Sequence, residues 1–163
     1  MTTTGNARPA SDSATRGGRV VVGVDGSPRS LDALDFAAEV ADWQHWSLDI
    51  VTTWEPPTAA SVVAFDYGDV IVAQCEAAES TARSAQAHVR ERYPRLEVVT
   101  MTEQGSASRV LTEESKGADL LVLGSRGLGG FSSLALGSVG QSCVHHAHCP
   151  VLIVRPKTKE VVT

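Results

Sequence analysis

No G-x-x-x-x-G-K-[ST] stretch occurs in the 163 residues, so the lysine and the magnesium-binding hydroxyl of a P-loop are both missing. Fast phosphoryl transfer by that machinery is excluded. After the first apolar run only Gly23 and Gly26 stand where a dinucleotide fold carries G-x-G-x-x-G, which argues against a nicotinamide or flavin dehydrogenase. There is no serine in G-x-S-x-G and no spaced pair of carboxylates on one loop, so no catalytic residue is assigned. Lys/Arg clusters are absent and the net charge is −5, which speaks against a nucleic-acid partner and against anionic membranes. No apolar stretch approaches bilayer-spanning length, and residues 1–18 lack the basic start and apolar middle of a signal peptide. Cysteine is scarce: Cys75, Cys143 and Cys149 cannot all pair and show no disulfide-framework spacing. That usage fits a reducing compartment, and a cytoplasmic location is the expectation.

What remains is an ordinary globular composition, 42% hydrophobic and 20% charged, long enough for one domain with a core of its own. Residues 1–18, rich in Thr, Ser, Gly and Ala, read as a mobile tail, and 157–163 as a short C-terminal one. Between them, 19–156 read as a single domain. Arg19 to Val24 is a continuous apolar run suited to a strand buried on both faces. It empties into Asp25-Gly26-Ser27-Pro28, where Ser27 is a good N-cap and Pro28 suits the first helical position. The helix that follows is expected to turn Leu31, Leu34, Ala38 and Ala41 inward.

Ser47 to Trp54 reads as a second strand stopped by Pro56 and Pro57, and a long alanine-rich helix is expected from about Val70 to Tyr93, ended by Pro94. Leu96 to Met101, Asp119 to Gly124 and Pro150 to Val154 read as further strands, with helices over 106–115 and 137–147. The alternation predicts an α/β fold: an open, Rossmann-like five-stranded parallel sheet in the order 3-2-1-4-5, with helices on both faces. Ligands of such sheets sit beyond the carboxyl ends of the strands where the order reverses. Strands one and four flank that point, so the loops 25–28 and 124–137 are expected to face each other.

The second of these loops carries Gly124, Gly127 and the pair Gly137-Ser138, spaced G-x-x-G-x9-G-S directly after the apolar run Asp119 to Leu123. A buried strand emptying into a glycine-rich loop and then a helix is a phosphate-holding arrangement, because the backbone comes close and the helix N-terminus offers unpaired N–H groups. Gly124 and Gly127 are read as letting the chain turn sharply and approach phosphate oxygens, with Ser138 adding a hydroxyl and Arg126 a charge-assisted contact.

With Val20 to Pro28 at the start, Ala118 to Gly127 in the middle and His148 to Arg155 at the end, the chain resembles the universal stress protein family, specifically its ATP-binding branch. The resemblance covers roughly residues 19–156. It implies that Gly23, Asp25 and the neighbouring backbone of Val24, Gly26 and Ser27 meet the ribose and adenine edge, that Thr53 and Leu123 contact the adenine ring, and that Ser125 and Val139 join the phosphate end. It also implies a homodimer through the apolar edge strand 150–155, which would otherwise be an aggregation hazard.

Asp25 carries alternative readings: a partner for ribose hydroxyls, a ligand for a magnesium ion bridging to phosphate, or a turn aspartate capping the first helix. For the whole chain the first reading is a nucleotide-dependent regulatory dimer with ATP as ligand, Mg as a candidate companion ion, and an unidentified regulatory partner. A slow ATPase or autophosphorylating phosphotransferase, using Asp25 with Mg and hydroxyls such as Ser132, Ser133 or Ser138, is the second. A nucleotide-free interaction module is the third. Cys143, His145, His146, His148 and Cys149 are potential metal ligands whose helical spacing would need distortion to close a tetrahedral site. Trp43 and Trp46 are expected to cover the core edge, with Trp54 near the crevice.

Overall fold

The computed structural model describes residues 17–58, 67–127 and 136–155. Most of the two expected tails, together with Ser132 and Ser133, lies outside the described residues. The elements are β1 (Arg19–Gly23), α1 (Pro28–Gln44), β2 (Ser47–Trp54), α2 (Tyr67–Arg92), β3 (Val98–Gln104), α3 (Ala107–Glu114), β4 (Leu120–Gly124), α4 (Ser138–His146) and β5 (Val151–Val154). All strand pairs are parallel, in the order β3-β2-β1-β4-β5, so the predicted topology is observed.

The run of valines in β1 explains why two layers of helix are needed. Val20, Val21 and Val22 are all fully buried, yet successive side chains of a strand point to opposite faces. Val20 and Val22 join Leu34, Ala37 and Ala41 of α1 and Ala85 and Val89 of α2. Val21 joins Val110 and Leu111 of α3 and Cys143 of α4 on the other face. Both cores hold fully buried leucines; truncating one such as Leu34 or Leu121 to alanine costs about 2–5 kcal/mol, a large part of a domain's net stability.

α1 starts as its local chemistry dictates: Ser27 is extended (φ −68°, ψ 153°), its hydroxyl accepts from Ser30 N at 3.2 Å, and Pro28 follows. It ends on His45 in the left-handed region at φ 57°. Its inward face differs from expectation at Leu31, which is 37% exposed, because the buried stripe is built from small residues, Ser30, Ala33, Ala37 and Ala41, that let the helix lie close on the sheet. Trp43 also differs: it stands 78% exposed, whereas Trp46 packs against the core as expected and its ring fills the space beside Gly18. β3 begins later than predicted and runs on to Gln104. Leu96 N donates to Tyr93 O in a turn, and the strand then follows β2 residue by residue from Leu48↔Val98 to Trp54↔Gln104.

The amino end of the sheet is closed by charge. Arg19 Nη1 lies 2.7 Å from Asp49 Oδ2 and 3.6 Å from Glu114 Oε2, while its Nη2 donates to the Glu114 and Lys116 carbonyls at the end of α3. Arg19 N also donates to Asp119 Oδ2 at 2.8 Å. Asp49, on β2 between strands β1 and β3, is only 2% exposed, and the guanidinium meets it in that buried position.

Candidate functional site

At the opposite, carboxyl end, β1 and β4 lie side by side and their connections leave on opposite faces, α1 with α2 and α3 with α4. The divergence opens a cavity of about 300 Å³. Eleven of the fourteen sequence-predicted residues line it: Gly23, Val24, Asp25, Thr53, Leu123, Gly124, Arg126, Gly127, Gly137, Ser138 and Val139. The other three hold its walls without lining it. Gly26, at φ +82°, makes the turn; Ser27 is the buried cap of α1; Ser125 is buried and ties the loop at its base. Ser125 N donates to Val154 O and Ser125 O accepts from Gly137 N, both at 2.9 Å, so the two ends of the loop are held together against β5.

The motif glycines do not serve as sharp turns. Gly26, Gly105 and Gly117 have positive φ among the described glycines, but Gly124, Gly127 and Gly137 do not. Two of them are needed for lack of a Cβ. A Cβ on Gly124 would lie 2.7 Å from the Arg29 carbonyl oxygen, so this glycine seats the end of β4 on the first turn of α1. A Cβ on Gly127 would collide with Asp25 Oδ2, so this glycine brings the two loops together. Gly137 is different. A Cβ there would meet nothing closer than Arg126 Cα at 3.5 Å, an ordinary contact, and the backbone is extended at φ −69°, ψ 162°. Among the described residues, none places a demand for glycine at this position.

Gly137 is the N-cap of α4 and supplies no side-chain hydrogen bond to it. The helix ladder begins with Gln141 N donating to Gly137 O, so the N–H groups of Ser138, Val139 and Gly140 have no partner within the helix, and all three residues line the cavity. A helix N-terminus left in this state attracts negative charge. Asp25 faces it from across the crevice. Its Oδ1 accepts from Ser27 N at 2.9 Å, the turn-capping role, while Oδ2 lies on the Gly127 side.

The floor is apolar and was partly missed from sequence. Val51, Ala107 and Leu111 line it, as do Ser30 and Gly140. Val51 was open to inference from Thr53, since residues two apart on a strand share a face. Ala107 and Leu111, one turn apart on α3, carry no such signal. Gly23 keeps the floor open, because a Cβ there would come within 2.9 Å of Leu123 and 3.0 Å of Leu111. Ser30 Oγ donates to Ser27 O at 2.9 Å.

The cysteine–histidine run is dispersed by the fold. Cys143 is fully buried in the second core, His145 and His146 sit exposed at the end of α4, and burial pushes the thiols of both Cys143 and Cys149 above their usual range. Among the described residues, no three His, Cys, Asp or Glu side chains gather as a metal site. Trp54 is half-buried at the end of β2 and outside the cavity lining. No helix of the described residues is long and apolar enough to cross a membrane.

Comparison with known proteins agrees with this geometry. The chain matches the universal stress protein family over residues 18–155. It is 35% identical over 144 residues to a universal stress protein of Mycolicibacterium smegmatis, covering 85% of this chain and 46% of that protein. It is 35% identical over 136 residues to one of Mycobacterium tuberculosis, covering 83% and 45%. The chain thus spans about half the length of these curated relatives. Among solved structures, a universal stress protein in complex with cAMP superposes with a TM-score of 0.64 at 27% identity, covering 86% of this chain and 98% of that one. The protein UspA of Lactobacillus plantarum gives 0.65 at 22% identity, covering 87% and 100%, and so attests the fold. With the sheet order, the crevice and the relatives in agreement, the chain belongs to the universal stress protein family.

Proposed function

We propose that the crevice binds ATP or a closely related adenine nucleotide, with phosphates at the first turn of α4 and the base over the Val51, Leu111 and Leu123 floor, in a chain that acts as a regulatory dimer. The observation that carries this reading is Gly137, whose missing Cβ no contact among the described residues explains and which stands where a phosphate oxygen would approach the N–H groups of Ser138 to Gly140, which have no partner within the helix. The related structure solved with cAMP supports an adenine ligand. A triphosphate needs countercharge, and Arg126 lines the cavity on the same side. Asp25, which lines the same cavity, would hold a magnesium ion. When bound, that ion neutralises phosphate charge; Asp25 positions it and Arg126 binds directly.

The residues favour holding a nucleotide over consuming it. Among the described residues no lysine lines the cavity, and the hydroxyl of Ser30 is engaged with the Ser27 carbonyl. Dimerisation through 150–155 belongs to the same reading: β5 is an edge strand of four apolar residues, each only half-buried. Mass spectrometry of small molecules released from the purified, denatured protein is expected to show an adenine nucleotide, and added ATP to raise the melting temperature. Absence of both the released nucleotide and the thermal shift would overturn the nucleotide reading. A monomeric mass at micromolar concentration would overturn the dimer.

A further inference from the structure

We infer that Cys143 and Cys149 are a redox-active pair that closes to an intramolecular disulfide, fastening the end of α4 to the start of β5.

The fold leaves the histidines of this run exposed but keeps its two cysteines together. Cys143 is fully buried in the second core, and Cys149, half-buried, packs against the same cluster. α4 ends at His146, and Ala147 N donates to the Cys143 carbonyl at 2.8 Å, so the chain leaves the helix directly beside Cys143. Cys149 follows two residues later, a step of at most about 7 Å. Cys75 stands apart from the pair on α2, which packs on the other face of the sheet.

One turn of α3 and its cap hold both ends of this stretch. The Thr112 side chain hydrogen-bonds with the Cys143 thiol. Ser115 donates through Oγ to the Thr112 carbonyl at 2.6 Å, and the same oxygen accepts from His148 N, the neighbour of Cys149, at 2.8 Å. Burial pushes the Cys143 thiol up, the Thr112 contact opposes it, and charge on Cys149 adds to the rise, so the two sulfurs sense each other.

Cys149 is the entry point because Cys143 is enclosed. Its thiolate attacks one sulfur of a low-molecular-weight disulfide such as oxidised glutathione, forming a mixed disulfide and releasing one glutathione thiolate. The Cys143 thiolate then attacks the Cys149 sulfur, forming the internal bond and expelling the second glutathione thiolate. The protein thiols lose two electrons, the oxidant gains them, and both protons end on glutathione. Burial holds both protein thiols above their usual range, so closure is slow, and the reduced pair lacks the thiolate stabilisation that makes some disulfides strong oxidants. At its other end α4 carries Ser138, Val139 and Gly140, so the bond restrains the helix that forms one wall of the cavity.

Mass spectrometry tests this on the native full chain, incubated with oxidised glutathione and then alkylated under denaturing conditions. Two of the three thiols are expected to be lost. The tryptic peptide that contains both Cys143 and Cys149 is expected to be lighter by two hydrogens, with Cys75 alkylated. Cys75→Ser is expected to leave the bond intact, and Cys149→Ser to leave Cys143 as a free thiol. The melting temperature is expected to rise on oxidation and to fall back with dithiothreitol, because a bond that fits the native fold restrains mainly the unfolded chain. A chain that keeps all three thiols, pairs Cys75 instead, or stops at a glutathione adduct on Cys149 would overturn the inference. So would an internal bond that lowers the melting temperature, since the two cysteines would then not be juxtaposed in the native fold.

Discussion

The two ends of this sheet handle polar groups in opposite ways. At the amino end, the guanidinium of Arg19 is divided between Asp49, Glu114 and two carbonyls that terminate α3. At the carboxyl end, the first-turn N–H groups of α4 open onto a cavity and Asp25 turns one oxygen toward the facing loop. One end closes its main charges against one another within the chain; the other opens its helix N-terminus onto a cavity. The difference separates residues whose loss should unfold the protein from residues whose loss should empty it.

The largest effect is expected from Arg19→Met, which takes the guanidinium away from the buried Asp49 carboxylate. Stability measured by urea denaturation should fall by about 3–5 kcal/mol, with ATP affinity in the folded fraction nearly unchanged. Equal losses of both would show that the two ends are not independent. Gly137→Ser should do the reverse. Serine is as good an N-cap as glycine, so stability should hold within about 0.5 kcal/mol, while its Cβ crowds the phosphate and ATP affinity drops at least tenfold by titration calorimetry. Gly127→Ala would be a poorer test, because its Cβ collides with Asp25 and mixes a fold defect with a binding one.

A smaller effect is expected from Asp25→Asn, which keeps an oxygen to accept from Ser27 N and removes only the charge. Magnesium should then cease to strengthen ATP binding, a change of a few-fold, with the melting temperature of the nucleotide-free protein preserved. Magnesium enhancement equal to wild type would reduce Asp25 to a turn residue. The smallest effect concerns Glu114. Burial holds its carboxyl above the usual range, outweighing the opposing pull of Arg19. A raised folded value means that the native state binds more protons than the unfolded one between the two values, so stability falls as pH rises through the folded value. Glu114→Gln should therefore be the more stable form at neutral pH, with the gap closing as pH drops below the unfolded carboxylate range, as urea midpoints across that interval would reveal.

Much of the site was legible before the fold because its carriers are unusual in composition and spacing. Gly124, Gly127, Gly137 and Ser138 stand at fixed intervals after an apolar strand, and Asp25 follows another. The residues that escaped, Ala107 and Leu111 above all, are ordinary members of an amphipathic helix, and nothing in their identity says that they end beneath a cavity. Trp43 escaped for the opposite reason: a large aromatic residue is expected inside, but its position on the 3.6-residue period of α1 sets it outside.

The order of strands and helices and the two facing loops were determined by the sequence alone, because apolar runs, caps and glycine intervals act over a few residues and leave a local mark. The tertiary structure decided what each glycine meets: Gly124 the Arg29 carbonyl, Gly127 Asp25, and Gly137 no group that a Cβ would crowd among the described residues. It also decided that Arg19 meets Asp49 across the amino end of the sheet and that β5 stands at the sheet edge half-buried. These are relations between residues far apart in the chain. They depend on distances across packed elements, which no interval along the sequence encodes.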